Sequence, residues 1–312
     1  MNKIKLTVFT VTIILLCLLT SCASNTDVSE TEGVTVIDTL GNTATLTPES
    51  RVVSCFASYT ECWLNAGGTL VGVTDDAVTE RELDLDKDTK IVGTVKHIDL
   101  EVLVSLSPDY VILSADLAAH LELEESLKQL GISYGYFRVD TFDDYKALME
   151  QFCAVNERDD LFEKYVTEIE NNINDILTKV PAESEKEVLL IRAYSTKMKA
   201  KGADNLAGQI LNELGCENIA DRTPSMLEDL SIEQIIADDP DYIFVTTMGS
   251  EESALEYIKS NLESDPAWIG LTAIKEGNYY LLPKELFHYK PNHRWDKSYE
   301  YLAKIVYPEI FS

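Results

Sequence analysis

The chain has 312 residues, 45% hydrophobic and 26% charged, a globular composition long enough for two cores of its own, which excludes disorder as the default state. Its 54 acidic residues against 26 basic ones leave a formal net charge of −28. Phosphate backbones repel such a surface, so nucleic acid is excluded as a partner, and flat adsorption on anionic lipid is disfavoured.

Residues 1–22 read as a leader rather than as part of the fold. Lys3 and Lys5 form a basic start, residues 6–19 are apolar but too short for an ordinary membrane span, and Leu19-Thr20-Ser21-Cys22 follows. This pattern resembles a bacterial lipoprotein signal with its lipobox. The resemblance implies that Cys22 is diacylated and becomes the mature N-terminus, and two acyl chains give stable anchoring. Removing a leader with two lysines and no acids takes the net charge to −30. Residues 23–33 are polar and read as a flexible tether. The expected location is extracytoplasmic, on a lipid anchor at the cell membrane.

Residues 34–155 are expected to form an N-terminal α/β lobe. Strand patterns at 34–38 and 43–46 flank Gly41-Asn42 as a hairpin, buried strands follow at 51–55, 70–73 and 132–139, and helices at 59–66 and 142–155. In residues 156–180 the apolar positions Phe162, Tyr165, Val166, Ile169, Ile173, Ile176 and Leu177 repeat with helical spacing until Pro181. About 24 helical residues would span roughly 36 Å, enough to join two lobes. Residues 184–312 restart as a C-terminal lobe, with a strand at 187–194, a helix at 205–214 stopped by Gly215, a strand at 278–282 and a helix at 293–307. Trp295, Tyr299, Leu302 and Val306 share one face of that last helix and are expected in the core.

A fifteen-residue stretch occurs twice. Residues 100–114 (LEVLVSLSPDYVILS) and 232–246 (IEQIIADDPDYIFVT) align without a gap at an offset of 132. Each copy reads as a short helix ended by proline, then a buried strand. The expected fold is therefore α/β: two parallel-sheet lobes joined by one long rigid α-helix, with a ligand cleft between the lobes. Cys55, Cys62, Cys153 and Cys216 lack CxxC spacing and sit in apolar patterns, so buried free thiols are expected even where disulfides are permitted.

The order of these segments resembles the substrate-binding proteins of ABC importers for cobalamin, haem and ferric siderophores. The residues that carry the likeness are Arg51-Val52-Val53-Ser54, Tyr59-Thr60-Glu61, 67–73, Val92-Gly93 with Asp99-Leu100-Glu101, Pro108-Asp109-Tyr110-Val111, 211–220 (LNELGCENIA), Ser231-Ile232-Glu233-Gln234 with Pro240-Asp241, and 268–283. The resemblance implies a monomer without a cofactor of its own, serving an ABC permease dimer with its ATPase. It also implies that Glu101 and Glu233 dock onto arginines of the two permease subunits, where a carboxylate can accept a bidentate guanidinium. A carboxylate in a first helical turn also gains about 0.3–1 kcal/mol from the helix dipole, and both roles can hold together.

Ligand is expected between the lobes, beyond the strand carboxyl ends. The loops there are 56–59, 74–76, 114–116, 195–198 and 246–248, with Lys96 and His97 just before Glu101. The candidate ligand-binding residues are Tyr59, Lys96, His97, Tyr194, Lys197, Met248, His288 and Arg294. A ferric siderophore would use basic and aromatic groups, to which Arg192, Lys199, Lys201, Tyr289 and Lys290 also belong. Haem would use His97 and Met248 as an axial pair, exchanged between lobes relative to the family pattern. Cobalamin needs mainly aromatic walls. A zinc or manganese importer subunit would need several histidines and carboxylates converging, and the chain has only His97, His120, His288 and His293, with His120 expected on a surface helix. No GxSxG, HExxH, Walker or dinucleotide-binding pattern is present, so an enzyme is not expected.

Overall fold

Short apolar runs punctuated by helices build two sheets in succession. The computed structural model describes residues 33–181, 186–223, 225–228, 230–290 and 292–311; the leader, Cys22 and residues 23–32 lie outside them. Strands β1 (Val34–Ile37) and β2 (Thr43–Leu46) form the opening hairpin around Gly41, whose φ of +87° suits the turn. Then come β3 (Val52–Ser54), β4 (Gly72–Val73), β5 (Lys90–Ile91), a small antiparallel hairpin of β6 (Gly93–Thr94) and β7 (His97–Ile98), β8 (Tyr110–Ser114) and β9 (Ser133–Phe137). The first sheet runs β5-β4-β3-β8-β9, parallel throughout. The second is made of β10 (Glu187–Ala193), β11 (Met198–Ala200), β12 (Glu217–Asn218), β13 (Tyr242–Thr247) and β14 (Tyr279–Leu281), in the order β11-β10-β13-β14 with β12 beside the start of β10. Only β11 is antiparallel, returning from β10 through a tight turn at 194–197, so that Met198, expected at the end of the loop, opens a strand.

The two copies of the repeat fold alike. Helices Leu100–Ser105 and Ile232–Asp238 lead into β8 and β13, and the order exposed, half-buried and buried is the same at every position of 99–108 and 231–240. Ser107 and Asp239, the residues before each proline, both take left-handed backbone, with φ of +48° and +42°. Proline disfavours the right-handed helical region for its predecessor, so each helix must end there. The next residue ties the strands. The Asp109 carboxylate accepts from Arg51 N at 2.7 Å, and Asp241 accepts from Glu187 N at 2.9 Å, setting the register of β8 on β3 and of β13 on β10.

Each sheet divides its side chains by alternation. Val52, Tyr110 and Ile112 of the first sheet and Val188, Leu190 and Phe244 of the second face one common apolar cluster. Val53, Val111 and Leu113, and on the other side Leu189, Ile191, Ile243 and Val245, pack into separate outer clusters. The common cluster is completed by the connecting helix through Val166, Ile169, Ile173 and Ile176. Burying each isoleucine there contributes about 2 kcal/mol.

That helix differs from expectation. It begins not at 156 but at Asp159, because Glu157 turns the chain with φ +56°, and it runs as Asp159–Phe162, a π turn at Glu163–Thr167, and Glu168–Leu177. The π turn breaks the regular carbonyl ladder, and the Tyr145 hydroxyl donates to the Tyr165 carbonyl at 3.0 Å. The final helix, Trp295–Val306, is a second brace. Trp295 packs on Phe142 and Tyr145 of the first lobe at ring distances of 5.7 and 6.1 Å. Cys55, Cys62, Cys153 and Cys216 are all free and buried. Burial pushes the Cys153 thiol up to about 11 and that of Cys216 to about 12.

A candidate ligand cleft and two matched carboxylates

The carboxyl ends of the parallel strands deliver one set of loops from each lobe. In the first lobe, Phe56 follows β3, Thr74 to Asp76 follow β4, Asp116 follows β8 and Arg138 follows β9. The Asp76 carboxylate accepts from Ala57 N at 2.9 Å, fixing the start of the helix Ala57–Asn65, and burial raises its pKa against the pull of that bond. Asp116 and Arg138 form a half-exposed ion pair at 2.6 Å.

Two expectations need correction here. Tyr59, placed among the ligand groups, is a core residue: it is 2% exposed and its hydroxyl donates to the Phe137 carbonyl at 2.7 Å. It lies on the inward face of its helix and backs Phe56, ring centroid to centroid 5.5 Å. His120, expected on a surface helix, is fully buried. Its Nδ1 accepts from Ser114 N at 2.9 Å and its Nε2 lies 2.9 Å from the Val95 carbonyl, so it straps the β6–β7 hairpin to the end of β8. Only the neutral ring with hydrogen on Nε2 makes both bonds, and burial lowers its pKa to about 4. The strap positions Lys96 and His97, both exposed, on the rim of the first lobe.

In the second lobe, Tyr194 N donates to the Lys197 carbonyl at 2.8 Å, and the Lys197 ammonium sits 5.2 Å from the Tyr194 ring centroid. Both therefore belong to the β10–β11 turn. Met248, half-buried, continues β13 and is held by its N–H to the Ala193 carbonyl at 2.9 Å. Lys284 Nζ donates to the Gly249 carbonyl at 2.9 Å. Next to it, His288 is half-buried, and its pKa falls to about 4, first through burial and then through the positive charges of Lys284 and Arg192. Lys284 and Arg192 thus bring two positive charges to His288 within a strongly acidic chain. Lys284 was not anticipated, because a lysine just after Leu282-Pro283 has no local signature.

Residues 288–290 and 292–294 reach across to the first lobe. Glu61 and Arg81, with side chains 8% and 5% exposed, pair at 2.8 Å. The His293 Nδ1 lies 2.8 Å from the other Glu61 oxygen, the Arg81 guanidinium stacks 4.9 Å from the Tyr289 ring centroid, and Lys290 pairs with Asp140 at 2.8 Å. Burial alone would raise the Glu61 carboxyl, but the His293 hydrogen bond and the Arg81 charge outweigh it and hold it below its ordinary value. Arg294, expected at the ligand, adds its charge to this same cluster. The one sequence sign of the cluster was an acid, Glu61, inside an apolar helix.

Glu101 and Glu233 are exposed in the first turns of their helices. Asp99 caps one helix by accepting from Glu101 N and Val102 N at 3.0 and 3.1 Å, and Ser231 caps the other by accepting from Gln234 N at 3.3 Å. Among the described residues neither carboxylate has a hydrogen-bond or ion-pair partner. Also among the described residues, no three His, Cys, Asp or Glu side chains converge as a metal site, and no helix is long and apolar enough to cross a membrane.

Comparison with known proteins agrees with this fold. A family model described as periplasmic binding protein matches residues 52–286. The Fe(3+)-citrate-binding protein YfmC of Bacillus subtilis (strain 168) is 27% identical over 96% of this chain and 95% of its own length. The putative ABC transporter substrate-binding lipoprotein YhfQ of the same organism is 27% identical over 88% of this chain and 90% of its own. The crystal structure of Staphylococcus aureus SirA complexed with staphyloferrin B superposes with a TM-score of 0.67, covering 87% of this chain and 98% of that one at 19% identity.

Proposed function

The chain belongs to the periplasmic binding protein family, and from that membership we propose that it is an extracytoplasmic receptor, held to the membrane through Cys22, that captures an anionic ferric complex and delivers it to an ABC permease. The observation that carries the ligand class is the positive cluster of Arg192 and Lys284 around His288, at the strand carboxyl ends of a lobe in a chain of net charge −28. An iron already wrapped by citrate or a siderophore needs counter-charge and hydrogen bonds from its receptor rather than metal ligands. The likeness to a ferric-citrate-binding protein supports the same reading. His288 stays neutral at pH 7 and offers a hydrogen bond instead of a charge. Tyr194 and Lys197 on the second lobe, with Lys96 on the first, extend the positive and aromatic rim. The exposed, equivalent Glu101 and Glu233 are assigned to the permease dimer, one to each subunit.

Calorimetric titration with ferric citrate tests the ligand class. We expect Arg192→Ala and Lys284→Ala each to weaken binding about 10- to 100-fold, the loss of one charged hydrogen bond. Unchanged affinity in both variants would overturn the assignment. The absorbance of protein purified from its native host separates the alternatives: a charge-transfer band fits a ferric siderophore, a Soret band points to haem held by His97 and Met248, and corrinoid bands point to cobalamin.

A further inference from the structure

Residues 288–290 and 292–294 belong to the second lobe, yet Tyr289 and His293 rest on one buried ion pair of the first. Tyr289 covers the Arg81 guanidinium, His293 bonds the Glu61 carboxylate, and Arg81 also donates to the Ser58 hydroxyl at 3.2 Å. Between them Asn292 is buried and braces the segment from within: its Oδ1 accepts from Arg294 N at 2.7 Å, and its amide donates to the Tyr289 carbonyl. The anchor also adjoins the connecting helix at its π turn, where Tyr165 packs edge-on to His293 at 5.6 Å. An ion pair this deeply buried cannot slide. Moving the guanidinium would strand Glu61 without its partner.

We infer that the Glu61–Arg81 pair is a positioning element: it clasps the second lobe through Tyr289 and His293 and fixes the separation of the lobes before any ligand arrives. Two properties of the cluster favour this over simple packing. Its members come from three separate places in the chain, the helix Ala57–Asn65, the stretch after Asp76–Thr79, and the segment ahead of the final helix, so the last of these ties the second lobe to a pair seated in the first. His288 and Lys290 sit in the clasped segment itself, so the clasp also sets where those two side chains stand in the cleft. The exposed Lys290–Asp140 pair crosses the same gap but is half in water, and exposed pairs contribute little. The clasp therefore resides in the buried cluster. This inference concerns the ligand-free protein and holds whichever ligand the cleft takes.

The test is a distance distribution between spin labels at Glu122→Cys and Glu252→Cys, exposed sites on opposite lobes, in ligand-free protein; Cys55, Cys62, Cys153 and Cys216, the cysteines among the described residues, are all buried. In Tyr289→Ala, which leaves the Glu61–Arg81 pair itself in place, the distribution should broaden, and amides of 288–290 and 292–294 should exchange about tenfold faster, the loss of one desolvated cation–π contact. Tyr289→Phe keeps the ring face and should restore the native width. A folded Tyr289→Ala protein with an unchanged distribution overturns the inference, as does a Tyr289→Phe protein that broadens equally.

Discussion

A neutral histidine buried between two backbone groups illustrates how one side chain fixes a rim loop and, with it, one part of the protein's response to acid. His120 accepts from one amide and donates to one carbonyl, an arrangement that a second ring proton destroys. Above pH 6.5 the ring is neutral whether the chain is folded or not. Between pH 6.5 and about 4 the unfolded chain takes up a proton that the folded chain refuses, so stability falls as the solution is acidified. At 1.36 kcal/mol per pH unit the full loss approaches roughly 3 kcal/mol. Urea unfolding at pH 7 and pH 4.5 should show His120→Gln less stable at neutral pH but less sensitive to acid. A variant with the parent's pH dependence would assign that dependence to other groups. None of this was legible in the sequence, where His120 lies in Ala118–Leu121, too short a helix to reveal which face is buried. Tyr59 failed for the same reason: an aromatic residue beside a cleft loop looks the same whether it points outward or into the core.

At the level of elements, the repeat was the legible part. Pro-Asp-Tyr ends one helix, ties two strands and opens a buried strand, three tasks in consecutive residues, so the pattern survives in both lobes. Removing the tie should cost the same in each: Asp109→Ala and Asp241→Ala should each lower stability by about 1–2 kcal/mol, measured by urea unfolding, since each leaves one strand-start amide without its acceptor. A large cost in one lobe and none in the other would break the equivalence. Less was legible where local pattern is silent. Strand β11 reads as Met198-Lys199-Ala200, with a lysine in place of the β-branched residues that mark strands, and its pairing to β10 is long-range information. The π turn changes the phase of an otherwise regular stripe by one residue, which an apolar pattern tolerates without a mark.

Across the whole molecule, two sheets share one inner cluster, and the connecting helix and the final helix both cross it. The rod expected from the sequence is real but shorter, and it is not the sole brace. The ionic seam through Glu61, Arg81 and His293 joins residues as much as 232 positions apart, which no single-sequence pattern reports. On the proposed function, a receptor built this way closes little and addresses its permease by presenting two fixed carboxylates rather than by a large change of shape. The most direct measurement is uptake of radioactive iron from ferric citrate by host cells carrying Glu101→Lys and Glu233→Lys together, paired with calorimetry on the same purified variant. Uptake should be abolished while ferric citrate binds with unchanged affinity. Undiminished uptake, or loss of binding itself, would contradict this.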